Sequence, residues 1–270
     1  MADGQVVVRP HGVWSEIRLC RAPKRNALNM AMLAGLEAAL AEVEQSEAGV
    51  ALLTAEGEVF CAGGDIGAWA GLPRREFAYN WVRYGHRVFD RLAQLRQPTI
   101  AVLSGDAFGG GLELAAACDF RVIEAPARLA MPETSLGMVP GWSGTQRLAR
   151  RFGVQVVRRM VLGGAVFDAA AAVAAGLADE LAARGGGRER AERMAQRIAE
   201  RGAEAVQLAK LLLAGAEMEA AAGAVEAIAG AAAAGGAELR EGVAAFMEKR
   251  APKFGRLEQA GQRTEDAGGD

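Results

Sequence analysis

Two glutamates and two glycine-rich turns hold the chemistry that this sequence offers. The run Ala107–Asp119, AFGGGLELAAACD, sets three glycines ahead of an apolar helical stretch, and the carboxylate in that stretch is Glu113, between Leu112 and Leu114. Earlier in the chain, a first glycine-rich segment, FCAGGDI (Phe60–Ile66), also follows a strand-like run. Glycine lets the main chain approach a ligand closely and adopt positive φ. A turn running into a helix N-terminus leaves N–H groups without internal partners. Two such donors aimed at one point make an oxyanion hole, which stabilises negative charge as it develops on a carbonyl oxygen. The plain alternative is that both segments are tight strand-to-helix turns.

Glu113 falls within one turn of the second set of donors, and Glu133 in MPETSLGMVPG follows a predicted strand, just after Pro132. If the fold brings the two carboxylates together, they resist simultaneous ionisation, so one holds a proton near neutral pH and the site has both an acid and a base. Taken singly, Glu113 reads equally well as a helix N-terminal acid stabilised by the dipole, and Glu133 as a first-turn acid after proline. Trp69, Trp81 and Trp142 read either as pocket lining or as plain core.

Other chemistries find little support. Neither glycine segment has the GxxxxGK[ST] or GxGxxG spacing of a nucleotide site. PGWSGT (Pro140–Thr145) is not the GxSxG of serine hydrolases, and with only His11 and His86, both remote in sequence, a Ser–His pair is not expected. The formal net charge of −2 gives no electrostatic case for nucleic acid or an anionic membrane as partner. The three cysteines, Cys20, Cys61 and Cys118, form no CxxC pair, so neither a disulfide framework nor a metal site is expected. The N-terminal stretch lacks a signal layout and no apolar run is long enough to span a bilayer, so a soluble cytoplasmic protein is expected.

The elements that must position these residues alternate. Val6–Arg9 and Val13–Leu19 read as strands with a turn at Pro10–Gly12, followed by a helix over Met30–Ser46 and a buried strand over Val50–Thr54. A long helix over Arg74–Gln97, a strand over Thr99–Leu103, and strands over Phe120–Glu124 and Arg128–Met131 come next. Helices over Gly144–Phe152, Val154–Leu162, Asp168–Ala175, Arg188–Gly202 and Ala203–Ala216 complete the pattern, and Gly185–Gly187 reads as a turn. The alternation argues for an α/β arrangement with short parallel strands. After about residue 200 the composition shifts, and Ala220–Ala237 is almost entirely alanine and glycine, a helix that must pack closely against something.

The chain resembles the enoyl-CoA hydratase/isomerase (crotonase) superfamily over nearly its whole length. The resemblance rests on RAPKRNALN (Arg21–Asn29), FCAGGDI, GDAFGGGLELAAACDFRV (Gly105–Val122), MPETSLGMVPGWSGTQRLARRFG (Met131–Gly153), AAGLADEL (Ala174–Leu181) and EGVAAFMEKRAPKF (Glu241–Phe254). It implies a spiral of ββα units in residues 1–200 and a C-terminal helical region in residues 201–270 that builds trimers, often paired into hexamers. It also implies oxyanion donors at the N–H groups of Gly64 and Gly110, with Glu113 and Glu133 as the catalytic pair of a hydratase. By the same resemblance, Ala62, Asp65 and Ile66 meet coenzyme A, Lys24 and Arg25 lie near its adenine and phosphates, and Lys253 and Phe254 close over it; of the tryptophans, Trp142, which adjoins the Glu133 loop, is the best placed to line the acyl pocket. The substrate is then an acyl-CoA thioester, with coenzyme A as part of the substrate and no separate cofactor.

Two departures from the family pattern concern the phosphates. Gly67 stands where many hydratases carry a lysine, and the proline of the usual RPxKRNAL run is displaced to Pro23. The reaction most similar in its residues is hydration of a 2-enoyl-CoA. The alternatives are a Δ3,Δ2-enoyl-CoA isomerase, another acyl-CoA-processing member such as a hydrolase or decarboxylase, or a non-catalytic coenzyme A- or RNA-binding member.

Overall fold

The computed structural model describes residues 4–216 and 237–253. In chain order the strands are β1 (Gln5–His11), β2 (Trp14–Cys20), β3 (Val50–Ala55), β4 (Thr99–Leu103), β5 (Ala107–Phe108), β6 (Phe120–Glu124), β7 (Arg128–Ala130), β8 (Val166–Asp168) and β9 (Glu180–Ala182). The α-helices are α1 (Met30–Gln45), α2 (Ile66–Trp69), α3 (Arg74–Glu76), α4 (Arg83–Ala93), α5 (Gly110–Ala117), α6 (Arg147–Phe152), α7 (Val154–Val161), α8 (Ala169–Ala174), α9 (Gly187–Ala199), α10 (Ala203–Ala216) and α11 (Ala237–Met247).

The main sheet has the order β1-β2-β3-β4-β6-β9, with β1 antiparallel to β2 and every later pairing parallel. Strands β3 and β4 are nearly all apolar because both faces are covered, the pattern expected of a parallel sheet. In β3, Ala51 and Leu53 enter one core with α1 and α4, whereas Val50 and Leu52 face the other way onto Ala191, Met194 and Ala195 of α9. Strand β4 repeats this alternation, with Ala101 and Leu103 on the first side and Ile100 and Val102 on the second. The Asn29 side chain accepts the Met32 N–H at the start of α1 and so caps it. Lys210 on α10 pairs with Asp119 at 2.6 Å and donates to the Gln97 carbonyl, tying that helix to the sheet.

A second, small sheet positions the chemistry. It has the order β5-β7-β8, with β5 and β7 parallel and Phe108 opposite Ala130. Two parallel neighbours end on the same edge, so the turn opening α5 and the segment Pro132–Glu133 emerge side by side. An isolated parallel bridge between Cys61 and Ala107 brings the first glycine segment to that same edge.

The structure refines several sequence expectations. The long helix expected over Arg74–Gln97 is present as α3, a π-helical stretch over Phe77–Val82 and α4, and it ends at Gln94. The helix expected from Gly144 starts at Arg147, after the turn whose Trp142 and Gly144 N–H groups bond Glu113. Asp168 caps α8 through Ala171 N–H instead of lying inside it. Strands β5, β8 and β9, two or three residues each, had no pattern long enough to read. Phe254 and nearly all of the alanine–glycine run lie outside the described residues.

Candidate active site

Glu113 sits on the first turn of α5, a helix buried at every position, and is only 2% exposed. Its Oε1 accepts two backbone hydrogen bonds, from Trp142 N–H at 2.7 Å and Gly144 N–H at 2.6 Å. Among the described residues nothing donates to Oε2, and Glu113 lines a cleft. Burial, reinforced by the neighbouring Glu133 carboxylate, pushes the Glu113 carboxyl up to about 8, against the two N–H donors and Arg147, which favour its charge. Glu133 opens a 3-10 turn directly after β7 and Pro132. Its carboxyl is also raised by burial. Its Oε2 is buried with no hydrogen-bond partner among the described residues. Glu113 and Glu133 both line one cleft.

The two glycine turns converge on the same place. Neither Gly64 N–H nor Gly110 N–H donates a hydrogen bond among the described residues, although their neighbours do: Leu28 N–H bonds Gly63 O, and Asp65 N–H bonds Leu28 O. The two amides are close, since a β-carbon on Gly110 would lie 3.3 Å from Gly64 N. The same β-carbon would lie 2.7 Å from the Trp142 ring, and one on Gly109, at a φ of 51°, would lie 2.7 Å from Glu133 Oε1. Glycine at 109 and 110 therefore lets a carboxylate and an indole come close to this turn.

The cleft holds a cavity of about 120 Å³. That is small beside the roughly 300–1,000 Å³ of sites for drug-sized ligands, so it suits the reacting end of a molecule whose bulk lies outside. Trp142 and Trp81, 3% and 4% exposed, pack ring on ring with centroids 5.1 Å apart, and Phe77 and Ile66 extend the apolar wall. Trp142 and Trp81 are thus core and cleft wall at once.

Of the residues expected at the ligand, Ala62, Gly64, Ile66, Gly110, Glu113, Glu133 and Trp142 line this cleft. Lys24 and Arg25 are exposed on a 3-10 turn joined to the cleft rim by the Ala62 N–H to Arg25 O bond of 3.0 Å. The Asp65 carboxylate is taken up by Arg21 at 2.7 Å and by Gly67 N–H, and the Arg21 hydrogen bond leads in lowering its pKa. Lys253 is exposed and outside the cleft lining, its N–H bonded to Glu241 at 2.6 Å. One expectation is overturned. Ser143 and His86 do pair, the hydroxyl lying 3.3 Å from both ring nitrogens, because α4 packs against the 141–144 turn. Neither residue lines the reaction cavity.

A family model described as enoyl-CoA hydratase/isomerase matches residues 10–257. The chain belongs to the enoyl-CoA hydratase/isomerase family. It is 35% identical over 243 residues to the probable mitochondrial enoyl-CoA hydratase 2 of Arabidopsis thaliana, an overlap of 88% of this chain and 80% of the relative. It is equally 35% identical over 258 residues to the mitochondrial enoyl-CoA hydratase domain-containing protein 2 of Mus musculus, covering 93% and 87%. The crystal structure of an enoyl-CoA hydratase from Bacillus anthracis superimposes with a TM-score of 0.88 at 32% identity, covering 93% of this chain and 98% of that one. The fold is the α/β fold of the crotonase family, and the family implies an acyl-CoA substrate.

Proposed function

We propose that this enzyme adds water across the C2–C3 double bond of a 2-enoyl-CoA thioester to give the 3-hydroxyacyl-CoA. The observation that carries the reading is the pairing of a buried carboxylate, Glu113, and a half-buried one, Glu133, with two backbone N–H groups that have no partner among the described residues, all on one small cleft. The thioester oxygen accepts from Gly64 and Gly110. The reacting state has Glu113 ionised and Glu133 protonated: Glu113 takes a proton from water through Oε2, the water oxygen bonds to C3, and the π electrons move through C2 onto the thioester oxygen. The N–H pair holds that enolate charge. Glu133 then delivers its proton to C2 as the enolate collapses, and proton exchange between the carboxyls resets the pair, which titrates as a unit. Charge is held by the amides throughout, so the chemistry calls on no metal or redox group.

Coenzyme A is part of the substrate in this reading. Lys24 and Arg25 face its phosphates, and Ala62 and Ile66 its pantetheine arm. Asp65 acts there by bracing the turn, because its carboxylate is already spent on Arg21 and Gly67. Lys253 and Phe254 close over coenzyme A from the C-terminal segment. A cytoplasmic homotrimer, or a dimer of trimers, completes the proposal, with residues 201–270 as the assembling region.

The test is to add crotonyl-CoA and follow the absorbance of the conjugated enoyl thioester. Its loss, with 3-hydroxybutyryl-CoA as product, supports hydration. Turnover of a 3-enoyl-CoA without water addition would replace it by the isomerase reading with Glu133 as the proton carrier. Release of free coenzyme A or of carbon dioxide would replace it by a hydrolase or decarboxylase.

A further inference from the structure

The turn that holds Glu113 has a serine where the backbone asks for glycine. Ser143 lies at a φ of 77°, in the left-handed region that residues with a β-carbon rarely adopt. This is the residue between Trp142 and Gly144, the two whose N–H groups converge on Glu113 Oε1. Amides one residue apart point at a single atom when the backbone turns back on itself, as in an anion-binding nest. Gly144 allows the closeness, since a β-carbon there would lie 2.7 Å from Oε1.

A ring of contacts ties this turn to α4. The buried Ser143 hydroxyl meets both ring nitrogens of His86 at 3.3 Å. His86 Nε2 lies 3.5 Å from Asp90 Oδ2, and Asp90 Oδ1 pairs with Arg147 at 2.5 Å. Arg147 closes the ring by donating its backbone N–H to Ser143 O at 2.8 Å. Beside His86, Gly85 makes room for the Trp142 indole, because a β-carbon at 85 would fall 2.3 Å from its Nε1.

We propose that Ser143 is a positioning residue, whose hydroxyl, anchored on His86, holds the left-handed turn that aims two backbone N–H groups at one oxygen of Glu113. The anchor replaces what glycine would supply through conformational freedom. The charged groups acting on Glu113 are Glu133, which raises its carboxyl, and Arg147, which lowers it. The turn's N–H groups act in the same direction as Arg147. A slack turn therefore moves the Glu113 titration to higher pH.

The inference rests on the hydratase reading for its effect on rate, so the test has a readout free of it. Carboxyl carbon-13 NMR, with Glu113→Gln used to assign the Glu113 signal, gives its titration in the full-length protein without substrate. In Ser143→Ala the midpoint rises, and kcat for crotonyl-CoA falls about tenfold with KM little changed, as for a group misplaced only at the chemical step. His86→Leu reproduces both changes, and the double variant is no worse than either single one. Ser143→Gly brings the midpoint and kcat back toward wild type, since glycine adopts this φ without an anchor. An unmoved titration in both Ser143→Ala and His86→Leu overturns the proposal, even if both lose thermal stability. If Ser143→Ala does not fold, His86→Leu and Ser143→Gly decide it alone. Failure of wild-type turnover with the titration shift intact counts against the hydratase reading and leaves the positioning role standing.

Discussion

Glu113 and Glu124 are alike in burial and in grip. They are 2% and 4% exposed, and each is held by two backbone N–H groups from a turn that contains glycine. The difference lies in how the donors are shared. At Glu124, Gly187 N–H serves Oε1 and Gly185 N–H serves Oε2, so both oxygens are occupied and the carboxylate caps the start of α9. At Glu113 both donors fall on Oε1, and the other oxygen has no protein donor among the described residues and belongs to a residue lining the cleft. Two hydrogen bonds divided between the oxygens make a strut. Two gathered on one oxygen fix a carboxylate in place while keeping half of it for a substrate.

The largest expected effect breaks the likeness directly. Glu113→Gln or Glu133→Gln lowers kcat for hydration by on the order of 10²–10⁴, the usual worth of a general acid or base. Glu124→Gln leaves kcat at the wild-type level, as steady-state rates on crotonyl-CoA will report. Equal losses in all three would erase the distinction.

The turns should part in the same way. Gly110→Ala drives a β-carbon to 2.7 Å from the Trp142 ring and displaces the N–H proposed as an oxyanion donor, so kcat falls by on the order of 10²–10³. Gly187→Ala places its β-carbon equally close to Glu124 Oε1, and there the effect shows in thermal stability while kcat holds. Smaller still, Glu124→Ala leaves two N–H groups without their acceptor and costs about 2 kcal/mol, to be read from urea unfolding.

A further effect is a pH dependence of stability. The folded Glu113 carboxyl is raised from its ordinary value of 4.5 to about 8, so its contribution is fully present below 4.5 and is lost as pH rises through 8. Glu113→Gln has no such loss. Its melting temperature should therefore match wild type near pH 4.5 and exceed it above pH 8, and parallel curves would argue that Glu113 titrates normally.

Much of the site was legible because its parts are local. The glycine turns, the helix that starts at Gly110 and the Pro132–Glu133 step all have signatures a few residues long. The main sheet was legible because strands covered on both faces leave uninterrupted apolar runs. What escaped depends on packing between distant segments. Ser143 and His86 are 57 residues apart and meet only because α4 lies against the turn. Ser143 gives no sign in its type that it occupies a glycine-like conformation, and the grip of Trp142 and Gly144 on Glu113 belongs to backbone atoms, which every residue carries. Strands as short as Ala107–Phe108 have too little side-chain pattern to announce themselves, yet this one sets the two carboxylates side by side.

The π-helical stretch Phe77–Val82 bears on how such a cleft changes over time. Arg83 N–H reaches back to Ala78 O, one residue further than in an α-helix, so the segment carries surplus chain within an otherwise continuous helix. Phe77, Trp81 and Val82 all face the cleft from it. Each residue of an α-helix turns the chain by about 100°. Removing one residue here would convert the stretch to ordinary helix and rotate everything before it by about that angle, trading Phe77 for a neighbour on the cleft wall. A single codon deletion could thus reshape the acyl-facing surface in one step while Glu113, Glu133 and both glycine turns stay where they are.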